Sequence, residues 1–120
     1  MTDSRETYPP AGAAPALDHD VVIIGAGMSG LYQLYCLREL GVRVRLFEAG
    51  TGVGGTWYWN RYPGARFDSE SWTYGYSFSK ELLDDWHWEE HFAAQPETER
   101  YLNHVADRFD LRRDIQFNTT

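Results

Sequence analysis

The sequence predicts an α/β fold built around a parallel sheet, and three observations carry that prediction. Val21 to Ile24 form an unbroken apolar strand. The glycine turn Gly25-Ala26-Gly27-Met28-Ser29-Gly30 follows it and enters a helix. A second strand then runs from Val42 to an acidic residue, Glu48. In this order they make one strand–turn–helix–strand unit, the pattern of a dinucleotide-binding half of a Rossmann-like fold.

Each element has its own reason. Four β-branched residues in a row suit a central parallel strand covered on both faces. Gly25 allows a sharp turn off the strand, Gly27 has no Cβ to keep a pyrophosphate from the backbone, and Gly30 lets the helix pack closely. The helix start directs free N–H groups and a partial positive charge at bound phosphates, and Ser29 adds a hydroxyl there. Leu31, Leu34, Leu37 and Leu40 recur at roughly helical spacing, and Gly41 stands where a helix-ending glycine is wanted.

Val42, Val44 and Leu46 alternate with Arg43, Arg45 and Phe47, as on a strand with one wetter face. Glu48 closes that strand 18 residues past Gly30. A carboxylate at this point accepts hydrogen bonds from the ribose hydroxyls of an adenosine and repels a 2′-phosphate, so the site favours FAD or NAD over NADP.

Composition bounds the rest. One hundred and twenty residues make about one small domain. Five Trp, eight Tyr and six Phe require a substantial surface to pack against. A net charge of −7 argues against nucleic acid or an anionic membrane as partner. No apolar run approaches the ~20 residues of a membrane span, and the N-terminus lacks a signal-peptide pattern, so a cytoplasmic location is expected. Residues 1–18, rich in Pro and Ala, read as a flexible lead-in. Residues 19–120 read as the N-terminal part of a domain that is incomplete at its C-terminus, since the final Asp114-to-Thr120 segment looks like a strand entering a hairpin. Cys36, the single cysteine, reads as a small buried hydrophobe.

Further along, His87-Trp88-Glu89-Glu90-His91 has the H-x-x-E-H spacing of a zinc-peptidase helix. The interleaved tryptophans and the acidic surroundings favour two surface histidines on a short helix, and no metal site is expected. From Pro96 to Phe109 a helix is predicted, with Pro at its start, Glu97 and Glu99 complementing its dipole, and a stripe of Tyr101, Leu102, Val105 and Phe109.

The stretch Gly54-Gly55-Thr56-Trp57-Tyr58-Trp59-Asn60-Arg61-Tyr62-Pro63-Gly64-Ala65-Arg66-Phe67-Asp68 is the most specific in the chain. It resembles the signature [AG]-G-x-W-x-x-x-x-[FY]-P-[GM]-x-x-x-D of the FAD- and NADPH-dependent Baeyer–Villiger monooxygenases. All seven fixed positions are met, at Gly54, Gly55, Trp57, Tyr62, Pro63, Gly64 and Asp68. The similarity extends over roughly residues 19–120, including the Tyr74-to-Ser79 run and the Gln95-Pro96 helix start. It implies a Rossmann-like FAD-binding domain with a long aromatic-rich insertion, belonging to an enzyme that converts a ketone to an ester or lactone with NADPH and O2.

The resemblance also implies roles. Gly25, Gly27, Ser29, Gly30, Glu48, Gly54, Gly55, Thr56 and Trp57 bind FAD, with Tyr74 a lesser flavin contact and Arg66 a contact to either cofactor. Asp68 sits beside the flavin and orients an arginine that lies outside this chain. Tyr58 and Trp59 read as core packing. The partners implied are a small ketone, O2 and the remainder of the polypeptide, and the 120 residues alone are expected to be inactive. Three alternatives stand beside this reading: a flavin monooxygenase acting on nitrogen or sulfur, a non-catalytic FAD-binding fragment, and a plain NAD dehydrogenase.

Overall fold

The computed structural model describes residues 17–66 and 68–120, so most of the expected 1–18 lead-in lies outside it. Strand β1 (Val21–Ile24), helix α1 (Met28–Glu39) and strand β2 (Val44–Phe47) form the expected βαβ unit. Short helices α2 (Thr56–Trp59), α3 (Ser71–Tyr74) and α4 (Lys80–Asp85) follow, then the long helix α5 (Gln95–Arg108) and strand β3 (Ile115–Gln116). The sheet order is β1-β2-β3 and both pairings are parallel, with Val21 opposite Val44 and Leu46 opposite Ile115.

The end of α1 is set by local chemistry. Gly41 has φ +75°, its N–H donates to the Arg38 carbonyl at 2.9 Å, and the Val42 N–H donates to the Leu37 carbonyl at 3.0 Å. This paired closure satisfies two carbonyls that a helix end leaves without partners. Leu31 and Leu34 pack into the core beside Ile23 and Leu46, whereas Leu40 lies past the helix end and is 76% exposed. The expected leucine stripe is therefore one residue too long.

Two further expectations are corrected. Strand β1 is not covered on both faces: Ile23 is buried, but Val22 is 51% and Ile24 79% exposed, so the face these two share is left largely open among the described residues. The last segment does contain a strand, as expected, and β3 lies beside β2 in parallel and extends the sheet. The 87–91 segment is not helical. There the Ser71 hydroxyl donates to the Glu90 carbonyl at 2.6 Å, the Ser71 N–H donates to the His91 carbonyl at 2.7 Å, and the Ala93 N–H donates back to Ser71 Oγ at 3.1 Å. With these backbone groups so engaged, His87 and His91 have no shared helical face. Among the described residues no group of three or more His, Cys, Asp or Glu is placed to hold a metal ion.

The aromatic residues form the second half of the core. Phe78 packs on Tyr35 at 4.4 Å between ring centroids and on Phe109 at 5.5 Å, and Tyr101 is flanked by Trp88 at 4.8 Å and Trp86 at 5.3 Å. Helix α5 presents Tyr101, Leu102 and Val105 to this layer, as its predicted stripe requires. Cys36 is half-buried on α1 with a free thiol. Among the described residues no helix is long and apolar enough to cross a membrane.

One hydrogen bond in this layer makes a direct prediction. The buried Tyr76 N–H donates to the Tyr101 hydroxyl at 2.8 Å, and the Tyr76 hydroxyl in turn donates to the Met28 carbonyl at the start of α1. Tyr101→Phe leaves the Tyr76 N–H buried without a partner, which costs about 1–3 kcal/mol. A urea titration of the variant against the parent should show that loss, and an unchanged midpoint would mean that the N–H finds another acceptor.

Candidate dinucleotide site

The site forms where β1 and β2 end and the glycine-rich turns begin. A cavity of about 600 Å³ is lined by Ile24, Gly25, Ala26, Gly27, Phe47, Glu48, Ala49, Gly55, Trp59, Thr119 and Thr120. A second, of about 340 Å³, shares Ile24, Gly25, Gly27 and Gly55 and continues along Met28, Ser29, Gly30, Gly54, Thr56, Trp57 and Tyr74. Both lie in the size range of cofactor and ligand sites. They sit at the carboxyl ends of parallel strands, where open α/β sheets bind their ligands.

Two contacts shape this space. A Cβ on Gly30 would lie 1.9 Å from the Gly25 carbonyl oxygen, so the absence of a side chain lets α1 begin directly against the turn that leaves β1. At Gly55, φ is +54°, and a Cβ would come 2.8 Å from Gly27 Cα. The two glycine motifs, 28 residues apart, therefore pack backbone to backbone. That arrangement refines the expected role of Gly55, whose bare Cα makes room for the first glycine turn. The Gly54 N–H, which donates to the Ala26 carbonyl at 2.9 Å, locks the same junction.

Glu48 is buried, with 4% of its surface exposed. The Ala26 N–H donates to Oε1 at 2.7 Å and the Gly50 N–H donates to Oε2 at 2.8 Å. The carboxylate thus ties the tip of the β1 turn to the loop after β2. Each carboxylate oxygen has more than one acceptor position, so Glu48 can still take hydroxyl donors from the cavity it lines. At the other end of the site, α1 begins at Gly27 with no side-chain cap, and Gly27 to Gly30 line the smaller cavity. Uncapped first-turn N–H groups suit a phosphate there. The Ser29 hydroxyl accepts from Gln33 Nε2 at 3.1 Å and keeps its own proton to donate. Buried acceptor, uncapped helix start and glycine-lined space together fit a dinucleotide.

Trp57 is 7% exposed, its ring edge-on to Tyr74, and its Nε1–H donates to the Tyr74 hydroxyl at 2.7 Å. The buried Gln95 side chain donates to the Trp57 carbonyl and thereby ties α5 to α2. Trp59, expected in the core, is 60% exposed and lines the larger cavity. Nothing in the sequence distinguished it from its neighbours, because a four-residue helix has too little periodicity to assign a face. Thr119 and Thr120 were likewise without a local signal.

The fold brings together Gly25, Gly27, Ser29, Gly30, Glu48, Gly54, Gly55, Thr56, Trp57 and Tyr74 around the two cavities. Arg66 and Asp68 line neither. Arg66 donates to the Phe92 carbonyl at 2.7 Å, lies 3.7 Å from a Glu90 carboxylate oxygen, and pairs through its backbone with Ala94. Asp68 is exposed.

A family model described as "NAD(P)-binding Rossmann-like domain" matches residues 23–86, just over half of the chain. The chain belongs to that family. Among curated relatives, this Rossmann-like chain is 56% identical over 100 residues to acetone monooxygenase (methyl acetate-forming) of Gordonia sp. (strain TY-5), covering 83% of this chain and 19% of that protein. It is 52% identical over 101 residues to phenazine N-monooxygenase PhzNO1 of Lysobacter antibioticus, covering 83% and 19%. A solved structure of OTEMO complexed with FAD and NADP superposes with a TM-score of 0.83 at 49% identity, over 88% of this chain and 20% of that one. The likeness to the Baeyer–Villiger monooxygenases read from the signature is thus present in sequence and in fold. The chain spans about a fifth of the length of the relatives it matches.

Proposed function

We propose that this chain is the FAD-binding portion of a flavin-dependent monooxygenase that uses NADPH and O2 to insert one oxygen beside a ketone carbonyl, giving an ester or lactone. One observation carries the reading. The Gly54–Gly55 start of the monooxygenase-type signature packs against the phosphate turn and builds a wall of the same cavities. A plain NAD dehydrogenase has no use for that second motif.

In this proposal Glu48 receives the ribose hydroxyls and Gly25, Gly27, Ser29 and Gly30 receive the pyrophosphate. Gly54, Gly55, Thr56, Trp57 and Tyr74 border the flavin end. FAD held here would take electrons from NADPH and use them to activate O2, the source of the inserted oxygen. Asp68 serves the reactive centre by orienting an arginine from the rest of the polypeptide. Arg66 acts by anchoring the segment that carries Asp68, as its bond to the Phe92 carbonyl and its closeness to Glu90 support.

The test is to express the complete reading frame that carries this sequence, record the flavin spectrum of the purified protein, and supply NADPH, O2 and a panel of ketones. Ester or lactone formed in step with NADPH consumed is the expected result. Bound FAD without ketone-dependent NADPH consumption would instead make this a non-catalytic FAD module. The match to a phenazine N-monooxygenase favours one second reading, oxygen transfer to nitrogen. An aromatic N-heterocycle added to the panel distinguishes it, because it would yield an N-oxide.

A further inference from the structure

The loop from Ala49 to Gly55 joins Glu48 to the second glycine motif, and residues at both of its ends line the cavities. Four of its seven residues are glycine, so ordering it costs more backbone entropy than ordering an average loop. Something must hold it, and the structure places one side chain inside it. A Cβ on Gly50 would meet Tyr58 Cε2 at 2.6 Å, one on Gly52 would meet Cε1 at 3.3 Å, and one on Gly54 would meet the Tyr58 N at 3.1 Å. The alternate glycines leave the space that this residue fills. The loop tip closes over the hydroxyl, with the Thr51 N–H donating to it at 2.9 Å and Thr51 Oγ1 hydrogen-bonded to it at 2.5 Å. On the ring face lies the Arg61 guanidinium, 4.8 Å from the centroid, itself paired with Glu99 of α5 at 2.8 Å.

We infer that Tyr58 is the positioning residue that fixes the 49–55 loop in its cofactor-binding shape, and so determines how tightly this site holds FAD. The inference rests on the reading that the site binds FAD. Tyr58 lines neither cavity, so it acts through the loop. The ring excludes alternative loop conformations and the hydroxyl sets the position of Thr51. A loop already shaped before the cofactor arrives loses no further entropy on binding.

The test measures the FAD dissociation constant of the complete protein, with the urea midpoint of each apo-protein measured in parallel. Tyr58→Phe keeps the ring and loses the Thr51 contacts, and FAD should bind about fivefold more weakly. Tyr58→Ala removes the plug and should weaken binding by at least about fiftyfold. Thr51→Val should weaken binding about threefold in the parent and have no further effect in the Tyr58→Phe background, because Tyr58→Phe has already removed the hydroxyl that Thr51 Oγ1 bonds. Residues that merely stabilised the fold would move the urea midpoints and leave the affinity of the folded protein alone. Should Tyr58→Ala fail to fold, the Tyr58→Phe and Thr51→Val cycle carries the same test. The inference fails if the Tyr58→Phe and Thr51→Val variants bind FAD within about twofold of the parent, or if their effects simply add. A parent that binds no FAD would overturn the functional reading itself, and this inference with it.

Discussion

Gly30→Ala is expected to abolish FAD binding, lowering affinity more than about a hundredfold, and to destabilise the fold. The new Cβ would sit 1.9 Å from the Gly25 carbonyl oxygen and 3.0 Å from its carbonyl carbon. Both are backbone atoms, so no side chain can rotate away, and the start of α1 must separate from the turn that leaves β1. Overpacking of this kind typically costs about 1–3 kcal/mol and occasionally more. Here it also displaces the uncapped N–H groups proposed to receive the pyrophosphate. Gly41→Ala is the control. That glycine has φ +75°, and a methyl group placed on its Cα would have no atom within 4 Å, so substitution costs about 1 kcal/mol of backbone strain and leaves FAD affinity intact. FAD content after purification, with urea melts of both variants, separates the two cases. Equal FAD content in Gly30→Ala and parent would show that the turn can relax at little cost.

Glu48→Ala should produce the next largest effect, a stability loss of about 2–4 kcal/mol together with a large loss of FAD affinity. Its two carboxylate oxygens accept from the Ala26 and Gly50 N–H groups inside the protein. Removing the side chain leaves two buried donors unmatched, at about 1–3 kcal/mol each, partly offset by water entering the space. Glu48→Gln is the more informative variant. An amide keeps the shape but presents one N–H₂ where an acceptor is needed, so one of the two backbone donors loses its partner. Its stability loss should be about half that of Glu48→Ala. A Glu48→Gln protein as stable as the parent would mean that Glu48 serves the ligand alone and not the turn.

What could be read from the residues alone divides along sequence separation. The βαβ unit was legible because its signals are local. Strand apolarity, the turn glycines, Gly41 at the helix end and Pro96 at the start of α5 each act within a few residues, and each marks a boundary that the structure keeps to within a residue or two. The Gly54-to-Asp68 stretch was legible as a pattern, and that pattern pointed to a family whose relatives match the chain. The H-x-x-E-H spacing misled because a five-residue pattern assumes a helix. Whether a helix forms there was decided by Ser71, 20 residues away, which engages the carbonyls of Glu90 and His91.

By itself, then, the sequence determined the strand–turn–helix–strand unit, the presence of two glycine motifs and an acidic residue between them, and the length of α5. Tertiary structure decided the rest. It brought Gly27 and Gly55 into contact, buried Glu48 on the N–H groups of Ala26 and Gly50, placed Tyr58 inside a glycine loop and laid β3 parallel to β2. The physical reason is that turns and helix ends are fixed by the steric and hydrogen-bonding needs of neighbouring residues. Close backbone approach, burial of a carboxylate and strand order instead depend on which distant surfaces can exclude water together while leaving few buried polar groups without a partner.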